Sequence, residues 1–296
     1  MPTRAWTTAL TMAALLASAV GLQALRERTG ALTAGPDNLL YVRSPEVLRR
    51  LSLSFDSLLA DVYWIRAVQH YGGTKLSTGP DKSYSLLYPL LDLTTSLDPQ
   101  FTIAYHFGSL FLAEPPPGGP GRPDLAITLL EKGLAANPDS WEFTQAIGFV
   151  HYWWYQDYPT AAQWFQRASM MPGAPVWMQP LAAVTLAEGG RRDGSRLLWQ
   201  QIAKTAQEDW FKAEAARRLA QLDALDQVDQ LTAILRAYES RTGEAATTWN
   251  ALVQRGYLRG APVDPSGTPY RLDGQAVGLD PRSPLYPLPK QQGRPR

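Results

Sequence analysis

Residues 141–174 read WEFTQAIGFVHYWWYQDYPTAAQWFQRASMMPGA, two apolar stretches parted by a polar break at Gln156-Asp157. Gly148 sits within the first stretch. Ala161 and Ala168 stand seven apart in the second, with Phe165 four residues after Ala161. Two helices approach within about 8–10 Å only where small side chains lie at their crossing. The spacing therefore predicts a helical hairpin, its close contacts at Gly148, Ala161 and Ala168 and its gaps filled by rings. Pro172 ends the second helix, because proline removes a donor and biases its predecessor to extended backbone. The stretch also crowds Tyr152, Trp153, Trp154, Tyr155, Tyr158 and Trp164 together. Such rings fill a core, line a cofactor pocket, or form a binding surface.

The same pattern recurs. "AYHFGSLF" (104–111) places Gly108 three residues before a ring, as Gly148 stands before His151. "DLAITLLEKGLAANP" (124–138) sets Ala126 and Gly133 seven apart, Leu130 four after Ala126, and Pro138 behind the helix. "EPPPGGPGR" (114–122) then reads as a stiff surface loop between paired helices. Residues 176–205 keep the sizes at Ala183, Ser195, Trp199 and Ile202 around the turn "EGGRRDG" (188–194). Upstream, 55–73 and 83–99 form a further pair, the latter interrupted at Pro89. Four units exceed the three that usually stack a continuous core.

This spacing resembles the tetratricopeptide repeat (TPR), a helix–turn–helix unit of about 34 residues. In the unit from Trp141, Ile147, Gly148, Tyr158, Ala161, Phe165 and Ala168 fall on its signature positions. The expected fold is mainly α: a TPR-like helical-hairpin solenoid over 45–205, with an N-terminal transmembrane helix and a small C-terminal α+β module. The resemblance implies that Tyr158 and Phe165 pack the repeat. It implies also that Tyr105, Ser109 and Leu112, with Thr102, face an inner concave groove. Gln145, Phe149, Tyr152 and Trp153 join that groove from the next unit, and Trp177 and Val184 from the one after. Tyr and Trp offer a partner large area at little side-chain entropy. The alternatives are cover by the chain's own residues beyond 206 and, third, a cofactor box.

From 206 to 242 the apolar spacing (Leu219, Leu222, Leu225, then Val228, Leu231, Ile234, Leu235) predicts two capping helices broken near Asp223–Asp226. Residues 243–280 follow with a short helix (247–255) stopped at Gly256, a "DPSG" turn (264–267), and a hairpin turning at Asp273-Gly274. "GYL" followed by "PVDPSGTPY" resembles the C-terminal part of type II secretion pseudopilins, over about 50 residues. The pseudopilin methylation signal is missing, so the resemblance implies a shared small fold rather than polymerisation. That family binds calcium beside this loop. Asp264 and Asp273 are the matching acids here, and solvated turn residues are the plainer reading. The tail 281–296 is proline-rich, expected extended or disordered, with 284–289 a candidate ligand for another protein.

Trp6 to Leu25 runs uncharged for the length that spans a bilayer. It reads as a signal anchor within residues 1–28, or as a signal peptide cut after Ala17-Ser18-Ala19. Either way the bulk of the chain is expected in the bacterial periplasm, tethered to the inner membrane through 6–25 or released. Lys+Arg 28 against Asp+Glu 27 gives a net charge of +1, without the clustered positive field that nucleic acid requires. The chain has no cysteine, hence no disulfide and no thiolate chemistry. His70, His106 and His151 are far apart and in no metal-ligand spacing. A buried carboxylate–arginine pair accounts for Asp56, Asp61 and Arg66 beside Trp64 without chemistry. No phosphate loop, nucleophile elbow or dinucleotide fingerprint occurs. The expectation is a non-catalytic scaffold with no cofactor, no metal and no small-molecule substrate, binding protein or peptide partners in the envelope. An accessory of a type IV pilus or type II secretion machine is the alternative, and an envelope enzyme a third.

Overall fold

The structure, a computed structural model, describes residues 12–18, 20–21, 44–79 and 82–291. It is mainly helical, as expected of a helical-repeat protein, and it divides into two compact units, 1–120 and 121–296. The divide falls in the proline-glycine loop that follows Glu114. No helix among the described residues is long and apolar enough to cross a membrane. The expected anchor, residues 6–25, lies largely outside those residues.

In the first unit α1 (Pro45–Leu51), α2 (Asp56–Leu76), α3 (Leu87–Leu97) and α4 (Thr102–Ala113) follow in order. Ser44 caps α1 and Pro45 opens it, where a missing N–H costs nothing. α3 packs on α1, α2 and α4. Pro89 does not interrupt α3, because the helix begins at Leu87 and places the proline in its first turn. Rings join α2 to the α4 side: Trp64 stacks on Phe111 at 6.1 Å, and Tyr71 on Phe111 at 4.2 Å. Glu114, just past α4, accepts from Lys75 Nζ at 2.7 Å and from the Tyr71 hydroxyl. Asp61 is exposed, Asp56 accepts from Ser52, and the Arg66 guanidinium lies over Tyr63 at 5.4 Å.

The second unit runs α5 (Pro123–Ala136), α6 (Trp141–Val150), a π-helical turn (His151–Tyr155), α7 (Tyr158–Ser169), α8 (Met178–Glu188) and α9 (Arg192–Thr205). Each helix packs on the next. Ser140 caps α6 through Phe143 N, and Asp157 caps α7 through Thr160 N. The predicted crossing of α6 and α7 is observed. A Cβ added to Gly148 would stand 2.6 Å from Phe165 Cε1, closer than any real contact. Phe165, Ala161 and Ala168 are fully buried. Their core continues through Met178, Ala182 and Ala183 to Leu198, Trp199, Ile202, Ala215, Leu222 and Leu225.

Beyond α9 the expected pair of capping helices is a single helix, α10, from Asp209 to Thr242. It contains neither Gly nor Pro. Its aspartates, read as a break, instead pair with α9: Arg196 Nη2 meets Asp223 and Asp226 at 2.8 Å, and Arg192 Nη1 meets Asp226 at 2.7 Å and Asp229 at 2.6 Å. Burial raises the Asp226 carboxyl, but hydrogen bonds from both arginines hold it below its ordinary value.

The C-terminal module lies along α10. α11 (Trp249–Gln254) is capped by Thr248, and β1 (Arg271–Asp273) pairs antiparallel with β2 (Ala276–Gly278) in register Leu272↔Val277. Gly274, in the tight turn, has φ +62°. Tyr270, Leu279 and Leu285 pack with Ala224, Val228 and Leu231 of α10. In the "DPSG" turn Gly267 N donates to Asp264 O at 2.8 Å. The Asp264 side chain is buried and accepts from Ser266 N and Oγ, Thr268 N and Ser283 Oγ. Burial raises its carboxyl, yet the Ser266 and Ser283 donors hold it below the usual carboxylate range. Asp273 is directed elsewhere, to Arg271 at 3.2 Å. Among the described residues no cluster of metal-ligating side chains exists.

Gly148→Ala is expected to cost about 1–3 kcal/mol through overpacking against Phe165, less the several tenths that alanine gains in a helix. Urea unfolding checks it, and a neutral effect would mean that the crossing relaxes freely. Asp264→Ala strands several donors of the "DPSG" turn at once. It is expected to cost at least about 2 kcal/mol, read as early loss of hydrogen-exchange protection in residues 262–283.

Candidate functional site

The groove residues expected from the sequence do not share one environment. Tyr105, Ser109 and Leu112 are 0%, 3% and 2% exposed, so their side chains offer a partner no surface. Tyr105 donates to Thr95 O, Ser109 to His106 O, and burial pushes the Tyr105 hydroxyl up to about 12. These three belong to packing rather than to a groove. That face of α4 is turned into the interior, with Ala104, Gly108 and Ala113 buried beside them.

In the second unit Gln145 and Phe149 are half-buried, and Phe149 meets Phe165 edge-on at 5.0 Å. Trp177 is 48% exposed and packs edge-on against Trp141 at 6.2 Å. Tyr152 and Trp153 are set apart from these by the π-helical turn that carries them. That turn widens the end of α6, and the chain then leaves through Gln156 in the left-handed region at φ 52°. Trp153 is 63% exposed. It meets Tyr152 edge-on at 5.0 Å, and Tyr152 meets Tyr158 at 5.1 Å. Tyr158, read as packing, is half-buried and stands beside Gly189, where a Cβ would lie 2.8 Å from its own.

Tyr152 and Trp153 form one wall of a cleft of about 700 Å³, with Glu188 and Arg218 beside them and Pro287–Gln291 along the other side. The Tyr152 hydroxyl donates to Glu188 Oε2 at 2.6 Å. Burial, with that carboxylate, pushes the hydroxyl well above its ordinary value, so Tyr152 remains a hydrogen-bond donor at all physiological pH.

The tail, expected extended or disordered, instead folds back onto the second unit. Ser283 Oγ donates to Asp264 at 2.5 Å, and Leu285 is 4% exposed in the module's core. Gln221, only 1% exposed on α10, donates its side-chain amide to Leu285 O at 2.8 Å and to Pro287 O at 2.9 Å. Its Oε1 accepts from Arg218 Nη1 at 3.2 Å, and Arg218 Nε is held by Glu214 at 2.7 Å. At the far end Arg192 Nη2 donates to Gln291 Oε1 at 2.5 Å, and Gln291 Nε2 donates to Ala187 O at 3.4 Å. Cover by the chain's own C-terminal part is therefore partial: Tyr152 is half-buried, while the outer face of Trp153 stays in solvent.

Glu188, Arg218 and Gln221 were not among the expected site residues. Only Gln221 carried a signal, as a polar side chain among Leu222, Leu225 and Val228 on an apolar helical stripe, where a buried amide must find partners. Of the histidines, His70 is buried and His151 half-buried. His70 Nε2 and His151 Nδ1 make no hydrogen bond. Burial lowers both below the ordinary imidazole value, and Asp157 only partly offsets this for His151. No protein-family model matches the chain, and no curated protein or solved structure matches it either.

Because the folded-state imidazoles are depressed, protonation favours the unfolded chain. Their contribution is present above the unfolded-state value near 6.5 and is lost as pH falls through the lower folded-state values. Urea midpoints are accordingly expected to fall between pH 7.5 and 5, with the drop reduced in His151→Leu and further in the double variant with His70→Leu. An unchanged drop in both would assign the pH response to other groups.

Proposed function

We propose that the protein is a TPR-like scaffold of the bacterial envelope that captures a protein or peptide partner at the Tyr152–Trp153 cleft. The observation carrying this reading is an exposed tryptophan on a rigid helical turn beside a cleft large enough for a peptide's side chains. A single exposed ring needs no explanation, but one beside a cleft with polar groups at its edge is what binding sites present. The cleft is walled by rings, and its polar groups, Glu188 and Arg218, are already paired with Tyr152, Glu214 and Gln221. They suit orientation of a bound chain better than bond-breaking. Export and tethering rest on the uncharged Trp6–Leu25 segment of the sequence.

A full-length chain with p-benzoylphenylalanine in place of Trp153, irradiated in cells, is expected to form an adduct with a second envelope protein. Trp153→Ala is expected to weaken capture of that protein by about 2 kcal/mol or more, roughly thirtyfold. Adducts confined to the chain's own tail would sink the reading.

A second reading, an accessory of a pilus or secretion machine, is favoured by the module at 243–280, which presents its hairpin from the side of α10. Co-purification with pilin-like proteins that survives Trp153→Ala would favour it over capture in the cleft.

A further inference from the structure

We infer that the partner segment captured at this cleft is a proline-containing peptide, and that residues 287–291 of the chain occupy its place until it arrives. The inference rests on the reading of the cleft as a capture site and adds the chemistry of what it takes.

Gln221 is the reason. Its amide nitrogen donates to the carbonyls of Leu285 and Pro287, two residues apart. Leu285 lies in a turn closed by Tyr286 N donating to Ser283 O, and this reversal of the backbone brings both carbonyls to the one amide. The donor is buried and its orientation fixed, since Arg218 holds its oxygen and Glu214 holds Arg218. A donor of this kind reads backbone and not side chain. It suits proline-containing segments, which lack N–H groups for pairing as a strand and keep their carbonyls outward. Exposed Trp153 and half-buried Tyr152 supply the flat walls against which pyrrolidine rings pack.

The tail is held unevenly. Ser283 and Leu285 are buried, locked by Asp264 and by the core of the module. Past them, Pro287 and Lys290 are exposed, Leu288 is half-buried, and Gln291 holds on through Arg192 and Ala187. Residues 287–291 can therefore leave while 283–285 stay docked. Gln221 then keeps one N–H on Leu285 O and offers the other to whichever carbonyl replaces that of Pro287. A covalently attached occupant competes at high effective concentration, so an incoming peptide binds the free fraction only.

The test uses the full chain and a fluorescein-labelled peptide of residues 285–291, LYPLPKQ, followed by anisotropy. Leu288→Asp loosens the resident tail without touching Gln221 or Trp153, and Gln291→Ala does so more gently should the first variant lose helical circular dichroism. A released variant is expected to bind the peptide at least about tenfold more tightly than the wild type, because the internal competitor is gone. Adding Trp153→Ala, or replacing both peptide prolines by alanine, is expected to undo that gain. The inference is overturned if folded released variants bind no better than wild type up to about 1 mM peptide, the weak end of specific affinity. It is overturned equally if the alanine peptide binds as well. If Trp153 photo-adducts to another envelope protein persist despite either result, the scaffold reading stands and only the peptide class is wrong. If they too are absent, both fall.

Discussion

The second unit depends on one missing atom. Without a Cβ at residue 148, the Phe165 ring lies flush against the α6 backbone, and the two helices close to a distance that no other residue allows. Ala161 and Ala168 continue the same seam, and the core built outward from it reaches α8, α9 and α10 through contiguous buried side chains. Interiors pack at crystal-like density, so a seam of this kind fixes the positions of everything stacked on it. The π-helical turn follows α6 directly, and Tyr152 and Trp153 inherit their placement from the crossing.

A second layer of specification is ionic. Arg192 and Arg196 on α9 face Asp223, Asp226 and Asp229 on α10 in a ladder spaced at helical period. Partly exposed pairs of this sort add little stability singly. Their arrangement nonetheless fixes the register of α10 against α9, and with it the position of Gln221 under the tail. Arg192 also takes Gln291, so one side chain joins the ladder and the end of the cleft.

What was readable in the sequence, and what was not, follows from range. Small residues seven apart and proline stops announced the hairpins of the second unit, because those signals are local and steric. Pro89 misled as an interruption since its cost depends on where the helix starts, and here it falls in the first turn. The Asp223–Asp226 break failed for a related reason: aspartates disfavour a helix interior only until arginines on a neighbouring helix engage them. Tyr105, Ser109 and Leu112 were placed on a groove by the tetratricopeptide resemblance, but a repeat signature does not say which face of a helix this chain covers. The tail was the largest miss. Its docking rests on Gln221 and Arg192, between 64 and 99 residues away along the chain, and no local pattern spans that interval.

α10 is an uninterrupted helix of fixed length. Its 34 residues extend about 51 Å, and one face carries Ala215, Leu222 and Leu225 of the second unit's core. Farther along come Ala224, Val228 and Leu231 beneath the module, then Leu235 and Tyr238 under α11. The hairpin module is thus no bead on a tether. It is mounted on a rod that begins inside the core of the second unit, at a set offset and angle from Trp153. The spacing between the hairpin and the Trp153 turn is thereby built into the fold, set by the length of one uninterrupted helix.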